Sequence, residues 1–201
     1  MNSIKRKVLI FHPSLAPYRV DFFNACSKMF NASYYFNLAN VADQKFNQKE
    51  LKNKCNFKCN YLTKGFDLFG RSFRLGIISI IKKEKPEIIL CSEYGPITLL
   101  VIFYKMLFNK TFKIYTISDD SLDSTMSRTG LRSVSRGFVC RRVDAVIFPS
   151  QLVCDWHIAN ISNKMNAYEL PIIHKDEVFR GELRKSVKAA NENIIKYDLL
   201  N

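Results

Sequence analysis

A chain of 201 residues has the length of one α/β domain, and a composition of 47% hydrophobic and 24% charged residues supplies a core and excludes a disordered polymer. Lysine and arginine number 31 against 18 acidic residues, a net charge of +13 that draws anionic partners and is high for an enzyme acting on small molecules. The longest apolar stretch, residues 97–104, falls well short of the roughly 20 residues that a membrane-spanning helix needs.

Taken in chain order, short β-branched or apolar runs alternate with stretches of helical period, the pattern of a mostly parallel sheet covered by helices. Residues 1–7 carry three basic side chains and lead directly into a strand at 8–11, so they read as the start of a fold and not as a secretion signal. Further strands are expected at 33–38, 57–62, 88–91, 113–117, 145–148 and 166–169. Helices are expected at 20–30, 73–83, 97–108, 131–142 and 151–161. Pro86 stops the second of these helices, and a buried strand follows at once. From 176 to 197, Phe179, Leu183, Val187, Ala190 and Ile194 recur at helical spacing, which predicts an amphipathic helix with no strand after it. The fold class is therefore α/β: a Rossmann-like three-layer α/β/α domain of about seven mostly parallel strands over residues 1–175, followed by a helical segment at 176–201.

Six cysteines are scattered through the chain, several in apolar surroundings where a reduced thiol packs as a small hydrophobe, so a reducing cytoplasm is the expected location. Cys55 and Cys59 have no second pair at zinc spacing, and His12, His157 and His174 are far apart in sequence, so no metal site and no cofactor is read. Each histidine is expected in a surface or capping role. A P-loop and a Gly-x-Ser-x-Gly elbow are both missing.

In a parallel sheet the informative residues follow the carboxyl ends of the strands, where ligands bind. After the first strand comes His12-Pro13-Ser14-Leu15-Ala16-Pro17-Tyr18-Arg19, a loop without glycine, which argues against a dinucleotide-binding dehydrogenase. Tyr18 and Arg19 offer an aromatic face and a cation, although packing and surface pairing would account for them equally well. After the fourth strand comes Glu93, and after the fifth Ser118-Asp119-Asp120-Ser121-Leu122-Asp123. A carboxylate here can cap a helix, bind a metal or accept from sugar hydroxyls. Capping explains one of them, but not four acids on one sheet edge of a basic protein.

Two basic stretches stand out. Arg71, Arg74, Lys82, Lys83 and Lys85 bracket an apolar helical face that the core needs, which leaves them as a solvated rim. Arg128, Arg132, Arg136, Arg141 and Arg142 recur near spacings of four, and such a row can meet phosphates or an anionic membrane surface.

Four segments, residues 7–23 (KVLIFHPSLAPYRVDFF), 85–95 (KPEIILCSEYG), 113–123 (KIYTISDDSLD) and 143–156 (VDAVIFPSQLVCDW), resemble in order and spacing the N-terminal domain of family-4 retaining glycosyltransferases of the GT-B type. The likeness is strongest to the bacterial branch that builds capsular and other surface polysaccharides. It implies a domain that holds a glycan or lipid-linked sugar acceptor, with the nucleotide-sugar donor bound by a C-terminal domain whose motifs this chain lacks. Residues 176–201 match the passage between the two domains. The resemblance also implies a retaining transfer without metal dependence, and no transfer by this half alone. It assigns Asp119 and Asp120 as catalytic contacts, and Tyr18, Arg19, Glu93 and Ser150 as substrate-binding residues. Where many family members place a histidine after the fifth strand, this chain has Ser118, Asp119 and Asp120. Lipid-linked acceptors would make docking at the inner face of the plasma membrane consistent with the net charge. The alternative is a non-catalytic basic module contacting an anionic polymer or membrane; no nucleic-acid motif is found, and nucleic acid is not expected as a partner.

Overall fold

The computed structural model describes residues 5–40, 45–68 and 71–172, together with Gly181, Ser186 and Val187. The expected helix at 176–197 and His174 therefore lie outside the described residues, apart from those three positions.

Seven strands form one parallel sheet in the order β3-β2-β1-β6-β7-β8-β9. They are β1 (Lys7–His12), β2 (Asn31–Phe36), β3 (Cys59–Tyr61), β6 (Ile88–Ser92), β7 (Lys113–Ile117), β8 (Ala145–Phe148) and β9 (Ala167–Glu169). All seven fall on strands expected from the sequence. Between β3 and β6 a two-stranded antiparallel hairpin, β4 (Gly65–Leu68) and β5 (Arg71–Arg74), stands apart from the sheet, with Phe66 stacked on Phe73.

Alternating side chains of the strands build a core on each face, as the period of two requires. On one face Leu9, Phe11, Ile89, Cys91, Ile114, Val146 and Phe148 meet α3 (Ile77–Glu84), α4 (Pro96–Leu107), α6 (Gly130–Arg142) and α7 (Gln151–Asn160). On the other face Val8, Ile10, Tyr34, Phe36, Ile88 and Leu90 meet Val20, Phe22 and Phe23 of α1 (Pro17–Met29) and Leu51 of α2 (Gln48–Asn53). The result is the expected three-layer Rossmann-like arrangement.

The helix expected at 73–83 begins later, at Ile77. Phe73 and Arg74 belong to β5, and Gly76 at φ +84 turns the chain into α3 through a left-handed conformation that glycine adopts without steric cost. The short helices α2 and α5 (Leu122–Ser127) were not expected. Each is capped by a side chain: Asn47 accepts from the Glu50 amide, and Ser121 accepts from the Ser124 amide.

The order of the strands reverses between β1 and β6. The crevice outside their carboxyl ends is where an open α/β sheet takes a ligand.

Candidate functional site

Three loops meet at this crevice. The first follows β1. Leu15 and Ala16 are buried and fix it, and Pro17 at the first position of α1 sets the helix entry, so Tyr18 and Arg19 sit in the first turn. A cation there opposes the helix dipole, at a cost of about 0.3–1 kcal/mol, so Arg19 is not placed for the sake of the helix. It is buried, its guanidinium lies 5.8 Å from the Tyr18 ring and 5.6 Å from the Phe22 ring, and it pairs with Asp119. Burial lowers its pKa from the usual arginine value.

The second loop follows β6. Glu93 takes φ +53, a left-handed conformation that costs a residue bearing a side chain about 1–3 kcal/mol. Lys85 and Asn109 share this conformation, but each follows a helix, where it is an ordinary stop. Glu93 instead lies between a strand and a helix. Its carbonyl accepts from Thr116 Oγ1 at 2.7 Å and from Thr98 Oγ1 at 3.0 Å, which holds the turn against its strain.

The third loop follows β7. Neither Asp119 nor Asp120 caps α5, because Ser121 does so. Asp119 is part-exposed, with its side chain 30% accessible, and reaches across the end of β6 to Arg19. Asp120 is buried, pairs with Arg128 at the end of α5, and accepts from Ser118 Oγ at 3.2 Å. The two neighbouring carboxylates thus have different tasks: one is presented and one is locked.

Behind them lies a buried polar layer. His157 on α7 donates from Nδ1 to the Val153 carbonyl at 2.9 Å, which leaves Nε2 to accept from the Tyr94 hydroxyl at 3.5 Å. Burial lowers the His157 pKa to about 4, and pushes the Tyr94 phenol well above its ordinary value. Arg136 on α6 is buried, donates to the Thr125 carbonyl at 2.6 Å, and lies 5.0 Å over the Trp156 ring. His12, the last residue of β1, donates from Nδ1 to the Ser14 carbonyl at 2.8 Å, and burial lowers its pKa to about 4 as well. His12 and His157 are therefore neutral and interior, not the surface or capping residues expected. Ser150 sits at the start of α7, half-buried, and its side chain makes no cap hydrogen bond.

The arginine row is not a row. Arg128 is committed to Asp120 and Arg136 to Thr125 and Trp156, while Arg141 bonds the Gly137 and Ile161 carbonyls. Of the other basic stretch, Arg74 bonds the Asn37 carbonyl and Asp67.

Among the described residues, five buried side-chain polar atoms have no hydrogen-bond partner: His12 Nε2, Arg19 Nε, Asn37 Oδ1, Thr125 Oγ1 and Arg136 Nε. His12 ends β1 and Asn37 follows β2, while Arg19, Thr125 and Arg136 lie on α1, α5 and α6. Sequence reasoning named Arg19 and Asp119 separately and missed their pairing. It also missed the Tyr94–His157 contact, whose members lie 63 residues apart. A shallow hollow lined by Lys7, Asn31, Lys83 and Glu84 lies at the opposite edge, where Glu84 already accepts from Ser33 and Tyr35.

No protein-family model matches the chain, and no curated protein matches it. Solved structures of similar fold include a UDP-N-acetylglucosamine 2-epimerase from Rickettsia bellii, 15% identical with a TM-score of 0.57, covering 92% of this chain and 49% of that one. The sucrose-phosphate synthase of Thermosynechococcus elongatus is 7% identical with a TM-score of 0.54, covering 83% of this chain and 48% of its own. UGT2 of Phytolacca americana, in complex with UDP-2-fluoro-glucose and pterostilbene, is 13% identical with a TM-score of 0.54, covering 90% of this chain and 57% of its own. The likeness is one of fold, and this chain spans about half the length of the structures it matches.

Proposed function

We propose that this chain is the acceptor-side half of a nucleotide-sugar-dependent glycosyltransferase of the GT-B type. The observation that carries the reading is the Arg19–Asp119 pair, which spans the loops after β1 and β7 across the switch point of the sheet. The fold supports it, since two of the similar structures are of proteins that act on or bind a UDP-sugar: UDP-N-acetylglucosamine for the epimerase and UDP-2-fluoro-glucose for UGT2.

In this reading Asp119, oriented by its pairing with Arg19, accepts from hydroxyls of the acceptor or of the transferred sugar. Asp120, fixed by Arg128 and Ser118, positions the loop from which Asp119 projects. Tyr18 offers its ring to a sugar face, and Glu93 and Ser150 supply further polar contacts. The nucleotide-sugar donor binds a partner domain, whose groups stabilise the departing diphosphate electrostatically in a retaining transfer. The acceptor is a glycan or a lipid-linked sugar, as in the building of a surface polysaccharide at the inner face of the plasma membrane.

The test is transfer by this chain joined to a donor-binding domain, screened over a panel of nucleotide sugars. Asp119→Asn should lower the rate about tenfold to a hundredfold, the worth of one charged hydrogen bond, with an unchanged circular dichroism spectrum. An unchanged rate would remove Asp119 from the site.

A further inference from the structure

Among the described residues no helix is long and apolar enough to cross a membrane, yet one outer face is strongly apolar. On α4, Leu100, Phe103 and Leu107 recur at helical spacing toward solvent, with Leu107 78% exposed. On α6, Leu131 and Val134 face solvent, 88% and 68% exposed, and the half-buried Phe138 continues their stripe one turn on. The two stripes are joined where Phe103 stacks on Phe138, their rings 5.6 Å apart. Scattered surface apolar residues need no explanation, but two joined stripes mark a contact surface.

The charge around this face selects its occupant. Neither α4 nor α6 contains an acidic residue. Arg132, Arg141 and Arg142 on α6 and Lys110 beyond α4 are exposed, with the Arg142 guanidinium 5.8 Å over the Phe138 ring and the Lys110 ammonium 5.8 Å over the Tyr104 ring. Asp144, in the turn after α6, is already committed to Lys105 and Lys113. A second copy of the chain would bring two cationic rims together, so self-association is disfavoured. An anionic bilayer satisfies both parts of the surface: acyl chains take the stripes, and headgroups take the arginines and lysine, whose apolar stems lie along the interface.

We propose that the α4–α6 face docks this protein on an anionic lipid surface. Both helices start at the carboxyl edge, with Leu131 and Arg132 in the first turn of α6, so the docking face extends up to the strand-end crevice. The proposal deepens the lipid-linked-acceptor reading, but its test is separate, since partition onto vesicles needs neither sugar nor transfer.

The experiment is co-flotation of the full chain with vesicles of phosphatidylglycerol and phosphatidylcholine in equal parts, against vesicles of phosphatidylcholine alone. The chain should float with the anionic vesicles and not with the neutral ones. Leu107→Glu and Leu131→Glu should each weaken binding about tenfold or more, the worth of burying one leucine. Both sites are so exposed that the fold should be unaffected, which circular dichroism checks. Met29→Glu, at an exposed apolar residue of α1 on the opposite side of the sheet, should bind like the unmodified chain. Absence of flotation, equal flotation with both vesicles, or undiminished binding of the Leu107 and Leu131 variants would overturn the proposal. So would sedimentation showing a dimer that these two substitutions dissolve, which would give the face to a second copy.

Discussion

Asp120 and Asp144 lie at opposite ends of the same sheet, and their surroundings differ in kind. Asp144 stands at the amino edge, where its carboxylate accepts from Lys105 at 2.8 Å and from the Ile114 amide at 2.9 Å, and pairs with Lys113 at 3.0 Å. Asp120 stands at the carboxyl edge, locked by Arg128 and Ser118, on the side of the molecule where His12, Arg19, Thr125 and Arg136 each keep a buried polar atom without a partner. A buried polar atom left unpaired costs about 1–3 kcal/mol, so the second arrangement is not what stability alone would select. The amino edge is built to hold the sheet together, whereas the carboxyl edge keeps hydrogen-bonding capacity in reserve.

Acid separates the two ends most strongly. Burial lowers the pKa of both His12 and His157 to about 4 from the ordinary 6.5. Between those values the unfolded chain binds protons that the folded one does not, so stability is complete above about pH 6.5 and falls as the pH drops toward 4. From about pH 7 to about pH 5 the loss should be about 2 kcal/mol for each histidine and about 4 kcal/mol together, measured by urea unfolding. His157→Phe, which can still pack against Phe148, should remove about half of that loss. An unaltered pH dependence in the variant would break the contrast.

Substituting the buried cation comes next. Arg136→Ala removes the bond to the Thr125 carbonyl and the contact with Trp156, and should cost about 3 kcal/mol. Asp120→Asn leaves Arg128 with a weaker partner and should cost about 2 kcal/mol. Asp119→Asn, at a part-exposed site, should cost less than about 1 kcal/mol, which makes it the cleaner probe of function.

At the amino edge, Asp144→Asn should cost about 1 kcal/mol. Burial pushes the Asp144 carboxyl up, but hydrogen bonds from Lys105, the Ile114 amide and Lys113 outweigh it and hold the pKa below the ordinary carboxylate value. Its contribution is therefore present above about pH 4 and lost below, outside the histidine window. If Asp144→Asn proved cheaper than Asp119→Asn, the two edges would have been assigned the wrong way round.

The central strands β1, β6, β7 and β8 were legible because they are short, mostly apolar runs, with Pro86 marking the start of β6. The hairpin was not, since β4 and β5 hold four residues each and Phe73 falls in phase with Ile77 and Ile81, so it reads as part of the next helix. Only the left-handed turn at Gly76 separates them. At the site, the strand-end rule brought Arg19, Glu93, Asp119 and Asp120 into view one loop at a time. It could not show that Arg19 spans to Asp119, nor that Asp120 is locked by Arg128, because those pairings depend on strand order. His157 carries no local mark: its burial follows from the packing of α7 against β8, where its ring lies 4.2 Å from that of Phe148.

The central claim, that the carboxyl edge is a saccharide-binding site, is tested most directly by titrating the isotope-labelled chain with a panel of soluble oligosaccharides and following its amide signals by nuclear magnetic resonance. The account predicts that a bound saccharide shifts the signals of residues 12–19, 92–95 and 118–123, and that Asp119→Asn weakens this response. Shifts confined to the amino edge around Glu84 and Asp144, or no response to any saccharide, would contradict it.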